Sequence, residues 1–365
     1  MRRLWCVLGA VLVIFLPARS VQADDVETLV TSEMQQHHVV GVSCLVLKDG
    51  QPPDSIYAGT ANLEWHTPVT ADTEFEIGSV TKQFTAACIL ILADEGKLSV
   101  NDPISQYLTN TPAAWSQIKI RNLLSHTSGV VNYDGLDGFE LRQHLTQAEF
   151  VAKLARYPLD FPPGEAWKYS NSGFSLLGFI VANVSGKPYW QFLHEHILDP
   201  LQMTNTYDRN PQFLIPHRAN GYVYRKSTQT YENRDYDLTD LNAAGTIVST
   251  VTDLAKWDAA IHGDGVLKPA TKKLWWSPVI MNNGQPLTRV GRRAGSYGFG
   301  WFLDPEKTHK SIWHTGVTSG FSAANEWYPD DHLTIIILSN TDEGGFAGDL
   351  ADKIAAHYFG EAEKK

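Results

Sequence analysis

The sequence predicts a chain of the α/β class in its α+β form, with one sheet assembled from strands at the two ends and a mostly helical stretch between them. Strand signals come first. Alternating or continuous β-branched runs appear as "VVGVSCLVL" (39–47) before the turn "KDGQ", and as "YGFGWFL", "SIWHTG", "FSAANEWYP" and "LTIIILSN" after residue 296. Between about 96 and 245 the pattern changes to capped helical segments such as "TQAEFVAKLARY" and "SGFSLLGFIVANVSG". The second closes at Gly186, with Pro188 just beyond.

In chain order, residues 1–23 read as an export signal: Arg2 and Arg3, an apolar run from Leu4 to Leu16, and small residues ending at Ala23. The run is short for a membrane span, and no cysteine stands at the cleavage point to take a lipid. The expectation is an exported protein, periplasmic or secreted, without a stable span in its mature form. Residues 24–365 carry no repeat, low-complexity tract or linker and read as one domain. Its α/β lobe would be built from 24–95 and 245–365, and its helical lobe from 96–244. "STVTDLAKWDAAIHG" offers Thr250 as an N-cap with Asp253 three residues on, and stops at Gly263. "YRKSTQTYENRDYDLTD" (224–240) is the least apolar stretch and reads as a surface loop.

Losing Arg2, Arg3 and Arg19 with the signal takes the formal charge from -10 to -13. So acidic a surface argues against nucleic acid or an anionic membrane as partner. Cys6 leaves with the signal; Cys44 and Cys88 sit in apolar surroundings and read as buried small hydrophobes rather than a disulfide framework.

The chemistry centres on "FEIGSVTKQFTAACILILADEGKL" (75–98), with Ser79 and Lys82 three residues apart at a helix start. On one face of a first turn, a serine gains from the positive helix end, and a partly dehydrated lysine can take its proton. Alone, the pair is also what a capped helix start with a solvated lysine looks like. Downstream partners change the balance. "FPPGEAWKYSNSGFSLLG" places Tyr169 and Asn171 after a Pro-Gly turn, a phenol for proton relay and an amide for positioning. "SIWHTGVTSGF" places His314, Thr315 and Gly316 at the end of a strand, where the N–H of Val317 can complete an oxyanion hole with that of Ser79.

The order Ser-x-x-Lys, Tyr-x-Asn, His-Thr-Gly resembles the serine β-lactamase and penicillin-binding-protein superfamily, in its class C β-lactamase, D,D-carboxypeptidase and esterase branch. "LLSHTSGV" (123–130), "PLQMTNT" (200–206) and "GTIVSTVTDLAKW" (245–257) are similar to that family's recurring segments. The resemblance implies an antiparallel sheet flanked by helices, with a cleft against the helical lobe. It also implies Ser79 as nucleophile, Lys82 as general base, Tyr169 as acid/base partner, and Asn171, His314, Thr315, Gly316 and Val317 as substrate or oxyanion contacts. No metal or cofactor is implied. The expected partner is a small-molecule or peptide substrate, including one derived from peptidoglycan.

Two departures bear on substrate. His314 stands where β-lactamases of this branch carry lysine, and Val317 where they carry a hydroxyl. Together they point to D,D-peptidase, D-aminopeptidase or esterase chemistry with weak β-lactam turnover. They also lead to the expectation that His314 binds substrate carboxylates better below about pH 6.5, as it charges. Arg292 and Arg293 offer another cation for that carboxylate, although a solvated loop pair is the simpler reading. "HTSG" (126–129) reads as a structural loop lining the cleft with Tyr133. His194 and His196, two apart on a helix, diverge by about 200° and make a poor metal pair. His37 and His38 read as solvent-facing, and Trp167, Trp301, Trp313 and Trp327 as core or cleft wall. No serine has the flanking glycines of an α/β-hydrolase elbow. Outside catalysis, the alternative is a silent penicillin-binding-like sensor or cell-wall binding module.

Overall fold

β1 (Gly41–Lys48) pairs antiparallel with β2 (Asp54–Asn62) on one edge and with β13 (Leu333–Ser339) on the other, so the two ends of the chain meet at the centre of one sheet. The computed structural model describes residues 21–361 except 138, 140–143, 211, 235–242 and 264, with side chains from Asp25 onward. Residues 1–20 of the expected signal and 235–240 of the expected surface loop lie outside the described residues.

Beyond β2 lies the short β3 (Thr67–Pro68), and beyond β13 come β12 (Phe321–Tyr328), β11 (Ser311–Thr318), β10 (Phe302–Asp304) and β9 (Ser296–Tyr297). The sheet thus reads β3-β2-β1-β13-β12-β11-β10-β9, with antiparallel neighbours throughout. Cys44 faces Ile337 across β1 and β13, and His314 faces Asn325 across β11 and β12.

Both faces of the sheet are covered, which explains the near-continuous apolar runs at its centre. On one face, α1 (Val21–Gln36) and α9 (Phe346–Tyr358) close over a cluster that includes Val42, Cys44, Ala324 and Ile337. On the other, α2 (Thr81–Asp94) and α7 (Val251–His262) cover Phe321, Ala323, Ile336 and Leu338. From Thr81 to Leu92 every residue of α2 is buried. Each of its buried Leu, Ile and Phe side chains contributes about 1.5–3 kcal/mol relative to exposure, which fixes the helix where the chemistry needs it.

Among its described residues, the stretch between α2 and β8 (Ile247–Ser249) gives no strand to this sheet. It forms α3 (Ile120–Leu124), α4 (Gln147–Leu154), α5 (Asn171–Ser185) and α6 (Tyr189–Leu193), and short strands elsewhere. Thr146 and Glu149 form the expected capping box on α4, Thr250 caps α7 through the Asp253 amide, and Gly186 ends α5 with φ 71°. β4 (Phe75–Glu76) and β5 (Tyr207–Asp208) flank β8, tying the approach to Ser79 to the return of the chain. The expected loop at 224–240 begins instead as a hairpin, β6 (Tyr222–Arg225) and β7 (Thr230–Asn233), with β6 anchored by the buried Tyr222 and β7 exposed and held by main-chain pairing. After α7 comes α8 (Pro269–Trp275), which brings Trp275 against Trp257 and Trp301. Among the described residues, no helix is long and apolar enough to cross a membrane.

Candidate active site

Ser79 sits one step before the helix rather than on it. Gly78–Val80 forms a 3₁₀ turn, and α2 follows from Thr81. The tight turn needs Gly78, whose φ is +51° and whose added Cβ would come 2.8 Å from the Val317 nitrogen. Across from it, a Cβ on Gly316 would collide with the Ile77 carbonyl and come 2.9 Å from the Ser79 nitrogen. Two backbones without side chains therefore lie in contact, and the amides of Ser79 and Val317 are brought side by side.

Lys82 is fully buried, and its Nζ lies 2.9 Å from Ser79 Oγ and 2.7 Å from the Ala244 carbonyl. Burial lowers its pKa to about 7, against an opposing pull from the Asp134 carboxylate. The Nζ also stands 4.9 Å from the centre of the Tyr169 ring. Burial raises the Tyr169 pKa well above the ordinary phenol value, opposed by a hydrogen bond with the Ser79 side chain, so Tyr169 is a neutral phenol at neutral pH. The arrangement has a base whose lone pair can receive the Ser79 proton while Ala244 holds an N–H of the same amine.

Asn171 opens α5 beside Tyr169. Its backbone N–H donates to Asn132 Oδ1 (2.9 Å) and its Nδ2 to Asp134 Oδ2 (2.7 Å). Its own Oδ1 is buried and finds no donor among the described residues. Sequence reasoning missed Asn132, Asp134 and Ala244. They lie on loops with no motif spacing, and only packing brings them to the serine.

His314 to Gly316 lie within β11 rather than at its end. Along the strand His314, Gly316 and Thr318 face α2, while the Thr315 side chain faces the other way, its Cγ2 against Gly348 of α9. Thr315 therefore reaches the site by its backbone. Val317 is 50% exposed at the rim.

His314 is buried and does not act as the expected pH-dependent cation. Burial, and then the charge of Lys82, lower its pKa to about 3. A directed chain explains how it is satisfied without charge. The Ser170 N–H donates to His126 Nδ1 (3.1 Å), which leaves the His126 Nε2–H for the Tyr297 oxygen (3.1 Å). Tyr297 then donates to His314 Nε2 (3.1 Å), and His314 Nδ1–H donates to the Thr315 carbonyl (2.6 Å). "HTSG" thus supplies a buried strut beneath Tyr169, and Tyr133 is buried in the core beside Phe139 and Phe150.

Arg292 and Arg293 are a second correction: they are not a solvated pair but part of a packed ion network. Both stack over Trp313, at 4.8 and 4.7 Å, and both pair with Glu326 and with Asp352 of α9. That network occupies the sheet face opposite Ser79. Trp301 and Trp313 are core, and Trp167 packs against His126, Tyr169 and Tyr297. His38 stacks on Tyr224 at 3.8 Å instead of facing solvent, and His37 is half-buried beside Glu33. His194 and His196 stand on a π-helical turn, the first near Asp199 and the second stacked on Phe192. Among the described residues no group of three or more metal-ligating side chains is assembled.

Comparison with known proteins gives a concordant result. The sequence model of the family described as Beta-lactamase matches residues 26–359. Penicillin-binding protein 4* of Bacillus subtilis (strain 168) is 33% identical over 303 residues, 78% of this chain and 64% of that protein. Protein flp of Staphylococcus aureus (strain MW2) is 28% identical over 320 residues, 86% of this chain and 62% of that one. The chain thus spans just under two thirds of these curated relatives. Among solved structures, the octameric penicillin-binding protein homologue from Pyrococcus abyssi superposes with TM-score 0.78 at 26% identity, over 94% of this chain and 78% of that one. The D-amino acid amidase from Ochrobactrum anthropi SV3 shares the fold, with TM-score 0.80 at 23% identity over 93% of this chain and 99% of that one. A family match along nearly the whole chain, together with this fold, means that the chain belongs to the beta-lactamase family and has the fold shared with penicillin-binding proteins.

Proposed function

We propose that this is an exported serine hydrolase that works through an acyl-enzyme on amide bonds of peptides containing D-amino acids, with Ser79 as nucleophile, Lys82 as base and Tyr169 as proton relay. The observation that carries the reading is the 2.9 Å contact between Ser79 Oγ and the buried Lys82 Nζ, whose pKa of about 7 leaves much of it neutral in neutral solution. Relatives whose names say they bind penicillin favour an amide carbonyl, and the N-terminal signal favours export.

Neutral Lys82 takes the Ser79 proton as Oγ bonds to the carbonyl carbon, and the carbonyl electron pair moves onto oxygen between the Ser79 and Val317 amides. The proton passes from Lys82 through the Tyr169 hydroxyl to the leaving nitrogen as the C–N bond breaks. Water then attacks the ester, giving one proton to Lys82, which passes it to the Ser79 oxygen as the acyl C–O bond breaks and the acid departs. Esters would follow the same path, which makes carboxylesterase the second reading. A retained Ser79–Lys82 contact weighs against a silent sensor.

A fluorophosphonate probe tests this. Wild type is expected to label at Ser79 and Ser79→Ala to stay blank; equal labelling of the two would sink the reading. Assaying nitrocefin, nitrophenyl esters and D-alanyl peptides in parallel then ranks the substrates.

A further inference from the structure

We propose that Glu76, anchored by Arg209, is a positioning residue for the oxyanion hole: it holds the Thr318 hydroxyl and thereby sets where the neighbouring Val317 amide points. The inference rests on the acyl-enzyme reading above and adds to it a buried side chain that acts through the backbone of β11.

The need for such a hold comes from the sheet. β11 pairs with β10 only at Ser311, Ile312 and Trp313, so residues 314–318 pair, among the described residues, on the β12 side alone. Thr318 opposite Phe321 is the last of those pairs, and Val317, half exposed at the rim, stands just before it. A strand end paired on one edge opens easily, whereas an oxyanion donor must keep its reach of about 2.7–3.1 Å to the developing charge. Packing against Gly78 stops the Val317 nitrogen from coming closer to the serine turn, and it does nothing to stop it from moving away.

Thr318 supplies the tie. Its Oγ1 donates to Glu76 Oε2 (2.9 Å), and Arg209 Nε donates to the other oxygen, Oε1 (2.7 Å). Glu76 belongs to β4, three residues before Ser79, and pairs with Val248 of β8. Arg209, just past β5, is fixed to the same platform, its N–H donating to the Thr246 carbonyl at 2.9 Å. One carboxylate thus fastens the end of β11 to the strand that leads into the nucleophile. The Glu76 and Arg209 side chains are 2% and 9% exposed, so little water competes for the carboxylate oxygens. A buried ion pair costs desolvation and adds little net stability, so what this one supplies is direction.

The test compares p-nitrophenyl butyrate with its thiono ester, whose sulfur is a weak hydrogen-bond acceptor, in wild type, Thr318→Val, Thr318→Ser and Glu76→Ala. Valine keeps the branched shape and removes the donor, and serine restores it. Rates are taken per Ser79 labelled at saturation by fluorophosphonate, so misfolded molecules do not count. We expect Thr318→Val to lower kcat/KM for the oxygen ester by about tenfold and to leave the thiono ester nearly untouched, so that the oxygen-over-sulfur ratio falls by the same factor. Damage that is merely structural would slow both esters together. Thr318→Ser should keep the wild-type ratio, and the acylation midpoint should stay near pH 7 in both Thr318 variants, because Lys82 is untouched. Glu76→Ala should lower the ratio too, and its combination with Thr318→Val should lower it no further than the worse single change. A wild-type ratio near one, an unchanged ratio in Thr318→Val, an equal loss in Thr318→Ser or additive losses in the double variant overturns the proposal. If Glu76→Ala does not fold, the two Thr318 variants decide. Failure of wild type to label brings down the acyl-enzyme reading itself, whereas labelling with an unchanged ratio brings down only the positioning role.

Discussion

The Tyr297 hydroxyl stands 3.1 Å from Nε2 of both His126 and His314, so a single phenol orders two buried imidazoles as neutral tautomers. Burial, followed by the charge of Lys82, holds both pKa values below the ordinary 6.5, that of His314 at about 3. The binding of carboxylate substrates should therefore not improve as pH falls through 6.5. In the unfolded chain these histidines bind protons at about pH 6.5, and in the fold only near pH 3 for His314. Their contribution to stability is thus present above 6.5 and lost as pH falls towards 3. Thermal unfolding midpoints followed from pH 7 to 4 should fall, and histidine C–H resonances of folded protein should show His314 untitrated down to about pH 4.

Lys82 gives the complementary profile. Only the neutral amine can accept the Ser79 proton, so acylation should rise with pH through a midpoint near 7. Replacing Lys82 by Arg, which stays protonated, should reduce acylation by about 10³-fold or more, the scale of losing a nucleophile's base. A rate constant for ester acylation that is flat from pH 5 to 9 would show that another group acts as base.

Gly316→Ala probes the backbone contact. Its Cβ would meet the Ile77 carbonyl and the Ser79 nitrogen, so β11 must retreat and separate the two amides. We expect acylation to fall by about 10²-fold per folded molecule, the cost of losing an oxyanion donor. Burst kinetics normalised to active folded protein measure it.

Arg293→Ala should act on stability and leave substrate choice alone. The side chain is 5% exposed and serves Glu326, Asp304 and Asp352, so its removal strands buried carboxylates. A loss of about 3–5 kcal/mol is expected in urea unfolding. KM for carboxylate-bearing substrates should be unchanged.

Cys44 and Cys88 belong to clusters on opposite faces of the sheet, and both are free and buried. Burial pushes the Cys44 thiol up to about 12 and raises that of Cys88 as well. A thiol reagent should find neither Cys44 nor Cys88 in the folded protein and both in the unfolded chain, under oxidising conditions too.

Much of this was legible in one dimension because it depends on local pattern. The strands β1 and β11 to β13, the caps at Thr146, Thr250 and Gly186, and the Ser79–Lys82 spacing all follow from periodicity, capping chemistry and helix geometry. The pairing of Tyr169, Asn171 and His314 with them was readable from motif order.

Charge state and environment were not legible. The same "His-Thr-Gly" triplet is compatible with an exposed imidazolium or a buried neutral ring, and Tyr297, 17 residues away in the chain, decides which. Two adjacent arginines looked like solvent-facing cations until α9 supplied Asp352 and β12 supplied Glu326. Asp134 carries no motif at all, and only the fold brings it to the Asn171 amide. The sequence alone singled out the candidate atoms for the chemistry, since that choice is written in residue type and short spacing. Tertiary structure alone decided what those atoms face, because desolvation and long-range hydrogen bonds are set by neighbours distant in the chain.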